Sequence, residues 1–176
     1  MKILYIHGAK STKRSFAYLN LRLRDHERFY FEYDTEMETI KNISDAQKMC
    51  NEVNPDVIIG HSLGGIIAAY LITPARRITI ATPFGGSEIA AWLPISQLLR
   101  DIASNGPLIA GIRRLAFAPE NLLTIVANGL DGRGFDGVVS TRSQKAIEAP
   151  TVHEFNLNHF EVLVDDTVAK RINDWM

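Results

Sequence analysis

The stretch that most limits how this chain can fold is Val57 to Leu71, VIIGHSLGGIIAAYL. Three β-branched residues, Val57, Ile58 and Ile59, run into Gly60-His61-Ser62-Leu63-Gly64 and then into an apolar, helix-compatible segment. A strand, a very tight turn and a helix are implied, with a serine at the apex. A serine lifted above the end of a strand must hold a strained backbone conformation, and side chains two residues to either side would collide there. Gly60 and Gly64 leave the space, and Gly65 lets the helix approach a neighbouring strand. The alternative is a glycine-rich turn carrying an incidental serine. A nucleophilic serine needs a base, an orienting acid and an oxyanion hole, so the rest of the chain decides between the two.

Apolar runs and breakers elsewhere alternate between strand and helix. Ile3 to His7 reads as a buried strand, followed by a polar loop from Gly8 to Ser15 and a helical stretch from about Phe16 to Asp25. Arg28 to Tyr33 reads as a second strand. Ser44 and Gln47 have the spacing of a capping box ahead of the stripe Ala46, Met49, Cys50 and Val53, which predicts a helix starting at Ser44 and ending at Asn54-Pro55-Asp56. Arg77 to Thr82, Leu122 to Ala127 and Thr151 to Leu157 supply further strands, with a helical segment at Thr141 to Glu148. The last helix starts at Asp165 or Asp166 and carries Val168, Ile172 and Trp175 on one face. Strands alternating with helices predict an α/β fold, a three-layer α/β/α sandwich built on a parallel sheet of about six strands.

Phe84 to Asn121 breaks this rhythm, being roughly three times the length that a crossover of about 10–12 residues requires. Ile95, Leu98, Leu99, Ile102 and Ala103 form one amphipathic stripe. Pro107 opens a second, with Leu108, Ile109, Ile112 and Leu115. Two short helices are expected within a single domain spanning residues 1–176. Either both cover the sheet, or one is a cap whose apolar face overhangs the site.

Composition removes several classes of function. With a formal net charge of −1, the chain lacks the basic excess of a nucleic-acid footprint. No apolar run is long enough to cross a bilayer. The chain opens directly on a strand, which leaves no room for a signal peptide and makes the cytoplasm the expected location. Cys50 is the only cysteine, so no intrachain disulfide forms, and its place on the helical stripe makes it a small core residue. Among the five histidines no pair has zinc-ligand spacing, so no metal is expected. His26 and His153 read as surface or edge residues. Lys10-Ser11-Thr12 after a strand suggests a phosphate loop, but that loop needs glycine where Ala9 and Leu4 stand. Lys10, Lys13 and Arg14 are solvated loop charges, with attraction of an anionic substrate as the alternative.

The acid and base appear downstream in the order serine, aspartate, histidine, each just past the end of a separate strand. Leu122 to Ala127 runs into a glycine-rich loop carrying Asp131 and Asp136, and His159 follows the last strand within Asn156-Leu157-Asn158-His159-Phe160. The carboxyl edge of an open parallel sheet is where such folds bind ligands. Glu161 faces away from His159.

On these residues the chain resembles the α/β-hydrolase superfamily, and the similarity spans nearly its whole length. It is carried by His7-Gly8, by Gly60 to Gly65, by Asp136-Gly137-Val138-Val139 and by Asn158-His159-Phe160. Thr82-Pro83-Phe84-Gly85-Gly86-Ser87 is also similar to a Thr-Pro-His-x-Gly-Ser turn of bacterial lipases and GPI-inositol-deacylase-like proteins, with Phe84 in place of the histidine. The resemblance implies a minimal version of the fold lacking its first two strands, with sheet order 2-1-3-4-5-6 and a short helical cap at 84–121. It implies a serine esterase or lipase with Ser62 as nucleophile, His159 as base and Asp136 as orienting acid, because Asp-Gly-Val-Val matches the family turn; Asp131 is the alternative. The oxyanion hole would be the backbone N–H groups of Ala9 and Leu63. No cofactor is implied, and the partner is a small-molecule ester or lipid. A thioesterase or acyltransferase with the same three residues, and a non-catalytic scaffold binding a small molecule, are the competing readings.

Overall fold

The computed structural model describes residues 1–87, 100–104, 106–112, 114–115 and 121–176. Six strands form one sheet: β1 (Lys2–Ile6), β2 (Glu27–Phe31), β3 (Val57–His61), β4 (Arg76–Ile80), β5 (Leu122–Ala127) and β6 (Thr151–Phe155). Their order is β2-β1-β3-β4-β5-β6 and every neighbouring pair is parallel. The expected α/β class and strand order therefore hold. Because all strands run the same way, the segments leaving Ile6, His61, Ala127 and Phe155 emerge at one edge of the sheet.

The side-chain alternation of the strands divides the core in two. Leu4, Ile6, Phe31 and Ile58 face one layer, with α2 (Thr39–Val53), α3 (Leu63–Tyr70) and α4 (Pro107–Ile112). Ile3, Tyr5, Val57, Ile59, Ile78, Ile80, Leu123 and Ile125 face the other, with α1 (Ala17–Arg22) and α6 (Asp166–Trp175). The central strands β3 and β5 are buried along their entire length, which is why their sequences are mostly apolar, with Thr124 inside β5 and His61 at the end of β3 as the polar residues. A short helix, α5 (Thr141–Gln144), and two 3₁₀ turns, Lys13–Phe16 and Glu161–Leu163, complete the described elements. Cys50 is buried in the α2/α3 layer, and burial pushes its thiol pKa up.

Three helix expectations need correction, the first being the segment expected from Thr141 to Glu148, which is helical only to Gln144. The predicted helix from Phe16 begins as the 3₁₀ turn, continues as α1 and stops at Arg22. The helix expected from Ser44 starts five residues earlier, at Thr39, and Ser44 lies inside it. Its first turn has no side-chain cap from Glu38; instead the Thr39 N–H donates to Asp101 Oδ2 at 2.8 Å. A cap supplied from 62 residues away leaves no local signature. At the other end, Asn54 closes α2 in the left-handed conformation, φ 48°.

Of the insertion, the stripe residues Ile95, Leu98 and Leu99 lie outside the described residues. The second stripe forms α4, whose Ile109 and Ile112 are buried, together with Ile102, in the layer shared with α3. Tyr70 on α3 donates its hydroxyl to the Leu108 carbonyl at 2.5 Å, tying the two helices together. This helix packs against α3.

Candidate active site

Ser62 stands between β3 and α3 at φ 52° and ψ −120°, a region that L-residues adopt only under strain. Neighbouring strands hold it there: its N–H donates to the Ile80 carbonyl at 2.9 Å and its own carbonyl accepts from Gly65 N at 3.0 Å. The glycines around it are dictated by close approach of neighbouring atoms. A Cβ on Gly60 would lie 2.5 Å from the Gly64 carbonyl oxygen, and one on Gly64 only 2.0 Å from that of Ile6. A Cβ on Gly65 would strike Thr82 just beyond β4, which is the close helix-to-strand contact expected for it.

Leu63 is the first residue of α3, so its N–H has no carbonyl one helical turn behind it. The loop after β1 runs beside the turn, since a Cβ on Gly8 would stand 3.0 Å from the Ser62 Cβ and 3.1 Å from His61 Nδ1. This brings His7-Gly8-Ala9 to the Ser62 turn. His7 stacks on Tyr33 with ring centroids 4.5 Å apart, and the Tyr33 hydroxyl donates to the His7 carbonyl at 2.7 Å.

The loops after β5 and β6 meet at the same edge. His159 Nδ1 lies 2.7 Å from Asp136 Oδ2, and both side chains are buried. A carboxylate accepts, so Nδ1 carries the hydrogen and Nε2 is left with a lone pair. The other carboxylate oxygen, Oδ1, accepts from the backbone N–H groups of Val138 (2.8 Å) and Val139 (2.6 Å), the two valines of the Asp-Gly-Val-Val turn. That turn needs Gly137, whose φ is 97°.

Asp131, the alternative acid, is exposed, accepts from Arg133 N and pairs with the Arg133 guanidinium at 3.2 Å. Glu161 is engaged with Asn158, whose N–H donates to its carboxylate at 3.1 Å. Of the three carboxylates considered, the structure brings Asp136 to His159.

Two buried side chains at this site were not singled out as site residues in the sequence. His61, 2% exposed, donates from Nε2 to the His159 carbonyl at 2.9 Å, while the His159 N–H donates to the Asp136 carbonyl at 2.9 Å. His159 is thus held at both ends of its own peptide unit. Desolvation, reinforced by the nearby His159 ring 4.8 Å away, pushes the His61 pKa down to about 3, so its ring is neutral. The second is Gln144, whose amide also reaches Asp136. Both act through main-chain groups or on another side chain. Pairing within a motif was the only sequence signal for His61, and none marked Gln144.

Among the described residues no group of three or more His, Cys, Asp or Glu side chains converges as a metal site, and no helix is long and apolar enough to cross a membrane. Lys10, Lys13 and Arg14 are exposed, and Lys13 pairs with Glu32 at 3.4 Å. His26 and His153 are half-buried and belong to neither the turn nor the acid loop.

No family model and no curated protein matches the sequence. Solved structures do match the fold. A lipase-esterase related protein from Clostridium acetobutylicum aligns with a TM-score of 0.68 at 15% identity, over 99% of this chain and 94% of its own. The esterase domain of a Rhodothermus marinus protein aligns with a TM-score of 0.63 at 16% identity, over 99% and 84%. RedJ, a thioesterase of the prodiginine biosynthetic pathway in Streptomyces coelicolor, aligns with a TM-score of 0.64 at 13% identity, over 100% and 90%. With the six-stranded parallel sheet and its strand order, these likenesses define the chain as an α/β-hydrolase fold in a minimal form.

Proposed function

We propose that this protein is a serine hydrolase that cleaves carboxylic esters through an acyl-enzyme on Ser62. The observation that carries the proposal is the buried His159–Asp136 pair, 2.7 Å apart, at the sheet edge where Ser62 sits on its strained turn. A mere binding scaffold has no use for a buried imidazole whose tautomer is fixed with Nε2 as the acceptor. In the proposed first half-reaction, Ser62 Oγ attacks the acyl carbonyl as its proton passes to His159 Nε2. Negative charge on the carbonyl oxygen is met by the N–H groups of Leu63 and Ala9, each such donor being worth about 10²- to 10³-fold in rate. The tetrahedral intermediate collapses, the bond to the leaving oxygen breaks, and the alcohol departs with the proton from His159. Water repeats the sequence on the acyl-enzyme, releasing the acid and restoring Ser62. Throughout, Asp136 holds the imidazole in one tautomer and stabilises the imidazolium.

The esterase, lipase-like and thioesterase neighbours support the reaction class, and the thioesterase makes an acyl thioester the second substrate to try. The test is labelling with a fluorophosphonate, followed by turnover of p-nitrophenyl esters and an acyl thioester of matched chain length, with Ser62→Ala as control. Labelling and turnover that both vanish in Ser62→Ala are expected. A wild-type protein that neither labels nor turns over any of these substrates would overturn the reading.

A further inference from the structure

Gln144 is completely buried at the end of α5, eight residues beyond Asp136. Its amide orientation follows from its neighbours. Ala127 N–H can only donate and lies 2.9 Å from one amide atom, which must be Oε1; the Ala127 carbonyl can only accept and lies 2.8 Å from the other, which must be Nε2. The side chain therefore caps the last residue of β5 as another strand would. One hydrogen of Nε2 serves the Ala127 carbonyl. The remaining one points towards Asp136 Oδ2 at 3.2 Å and the Val139 carbonyl at 3.4 Å.

Four donors now surround one carboxylate: Val138 N and Val139 N on Oδ1, His159 Nδ1 and Gln144 Nε2 on Oδ2. A carboxylate offers about four lone-pair sites, so all are occupied. The shell fixes rotation about the carboxyl bond, because each oxygen is held by its own pair of donors.

We propose that Gln144 is a positioning residue for the Asp136–His159 pair, holding the Asp136 carboxylate in the plane that orients the His159 imidazole. This rests on the hydrolase reading of Ser62 and His159. It makes β5 the rigid reference for the acid: the same amide that pairs with Ala127 sets where Oδ2 lies. A shift of the acid loop relative to the strand would have to break either the Gln144–Asp136 hydrogen bond or the two that tie the same amide to Ala127.

The test compares Gln144→Leu and Gln144→Glu in the wild-type and Asp136→Ala backgrounds, reading fluorophosphonate labelling rate, kcat and KM for a p-nitrophenyl ester, and urea stability. Gln144→Leu should lower the labelling rate and kcat about tenfold, the weight of one hydrogen bond to a charged group, with KM within about twofold. In Asp136→Ala the same substitution should cost less than about twofold, since its target is gone. A loss of equal size in both backgrounds, or no loss in either, overturns the proposal. Gln144→Glu keeps the acceptor for Ala127 N–H and covers the case in which the leucine variant fails to fold. The low-field NMR resonance of His159 Nδ1–H needs no turnover: it should shift or broaden in a folded Gln144 variant. If both variants unfold, the Gln144 side-chain amide protons of the wild type should shift on Asp136→Ala. An unchanged resonance in that arm overturns the proposal. A wild type without activity but with a His159 resonance that responds to Gln144 would sink the hydrolase reading and leave the positioning contact intact.

Discussion

Substituting His61 by glutamine separates the contribution of a hydrogen bond from that of a proton. His61 is buried against His159, with Nε2–H bonded to the His159 carbonyl at 2.9 Å and Nδ1 without a hydrogen-bond partner among the described residues. Protonating the ring would place a second N–H at Nδ1, buried with no acceptor among the described residues and beside another imidazole. Desolvation, and after it the neighbouring His159, therefore push its pKa down to about 3. In the unfolded chain the same imidazole titrates near about 6.5. Below that pH the unfolded state takes up a proton that the native state refuses, so the unfolded state binds more protons and is favoured on acidification. The stability that the neutral ring contributes is fully present above about pH 6.5 and is lost as the pH falls towards the depressed native value. The slope is at most about 1.4 kcal/mol per pH unit, so by about pH 4.5 the wild type has lost roughly 2–3 kcal/mol through this one residue.

Glutamine can present an N–H to the His159 carbonyl but does not titrate. At about pH 7 His61→Gln should be less stable than wild type by about 1–2 kcal/mol, for imperfect packing and hydrogen-bond geometry. Urea unfolding repeated at about pH 5.5 and about pH 4.5 should show that deficit shrinking and then reversing sign, while carboxylate titrations common to both proteins cancel in the difference. A difference that stays constant between about pH 7 and about pH 4.5 would refute the reasoning, because it would mean that His61 takes up its proton equally in the folded and unfolded chains.

Asp136→Asn should reduce kcat/KM by about 10³- to 10⁴-fold through loss of the histidine tautomer, whereas the exposed Asp131→Asn should stay within about twofold of wild type; steady-state kinetics with the reverse result would reassign the acid. Gly64→Ala places a Cβ 2.0 Å from the Ile6 carbonyl oxygen and 2.6 Å from that of His7, both backbone atoms that cannot step aside. It should lower stability by about 3 kcal/mol or more, and a wild-type urea midpoint would contradict the close approach of α3 to β1. Cys50, buried and with its thiol pKa raised, should resist a thiol reagent such as DTNB in native buffer and react fully in urea; equal rates in the two conditions would show that the α2/α3 layer opens freely.

The fold was legible because parallel strands buried on both faces must be written as apolar runs, and Val57–Ile59, Ile78–Ile80 and Leu122–Ala127 are such runs. Boundaries set by contacts between distant segments were not. The start of α2 depends on Asp101, which follows it by 62 residues, so the local Ser44–Gln47 spacing gave the wrong end. The glycines at 60, 64 and 65 were legible for the opposite reason: Gly60 and Gly64 are demanded by backbone atoms of the turn itself or of the strand it must touch, and Gly65 by the Thr82 side chain just past the next strand.

The same distinction runs through the site. Ser62, Asp136 and His159 stand next to the glycines and asparagines that shape their own loops, so their neighbours in sequence advertise them. His61 and Gln144 act differently: one donates to the His159 carbonyl 98 residues away, the other clasps the Ala127 peptide while reaching Asp136. A main-chain partner has no side-chain identity to pair with, so such residues look ordinary in a sequence however completely they are buried. The consequence is an order of assembly for the proposed site. β5 positions Gln144, Gln144 and the valine N–H groups position Asp136, Asp136 and His61 position His159, and in the proposed reaction only His159 exchanges a proton with the serine. Substitutions early in that order should therefore lower kcat through His159 without touching KM, while those in the Gly8 and Ser62 loops, which lie beside the acyl carbonyl in the proposed reaction, should move both.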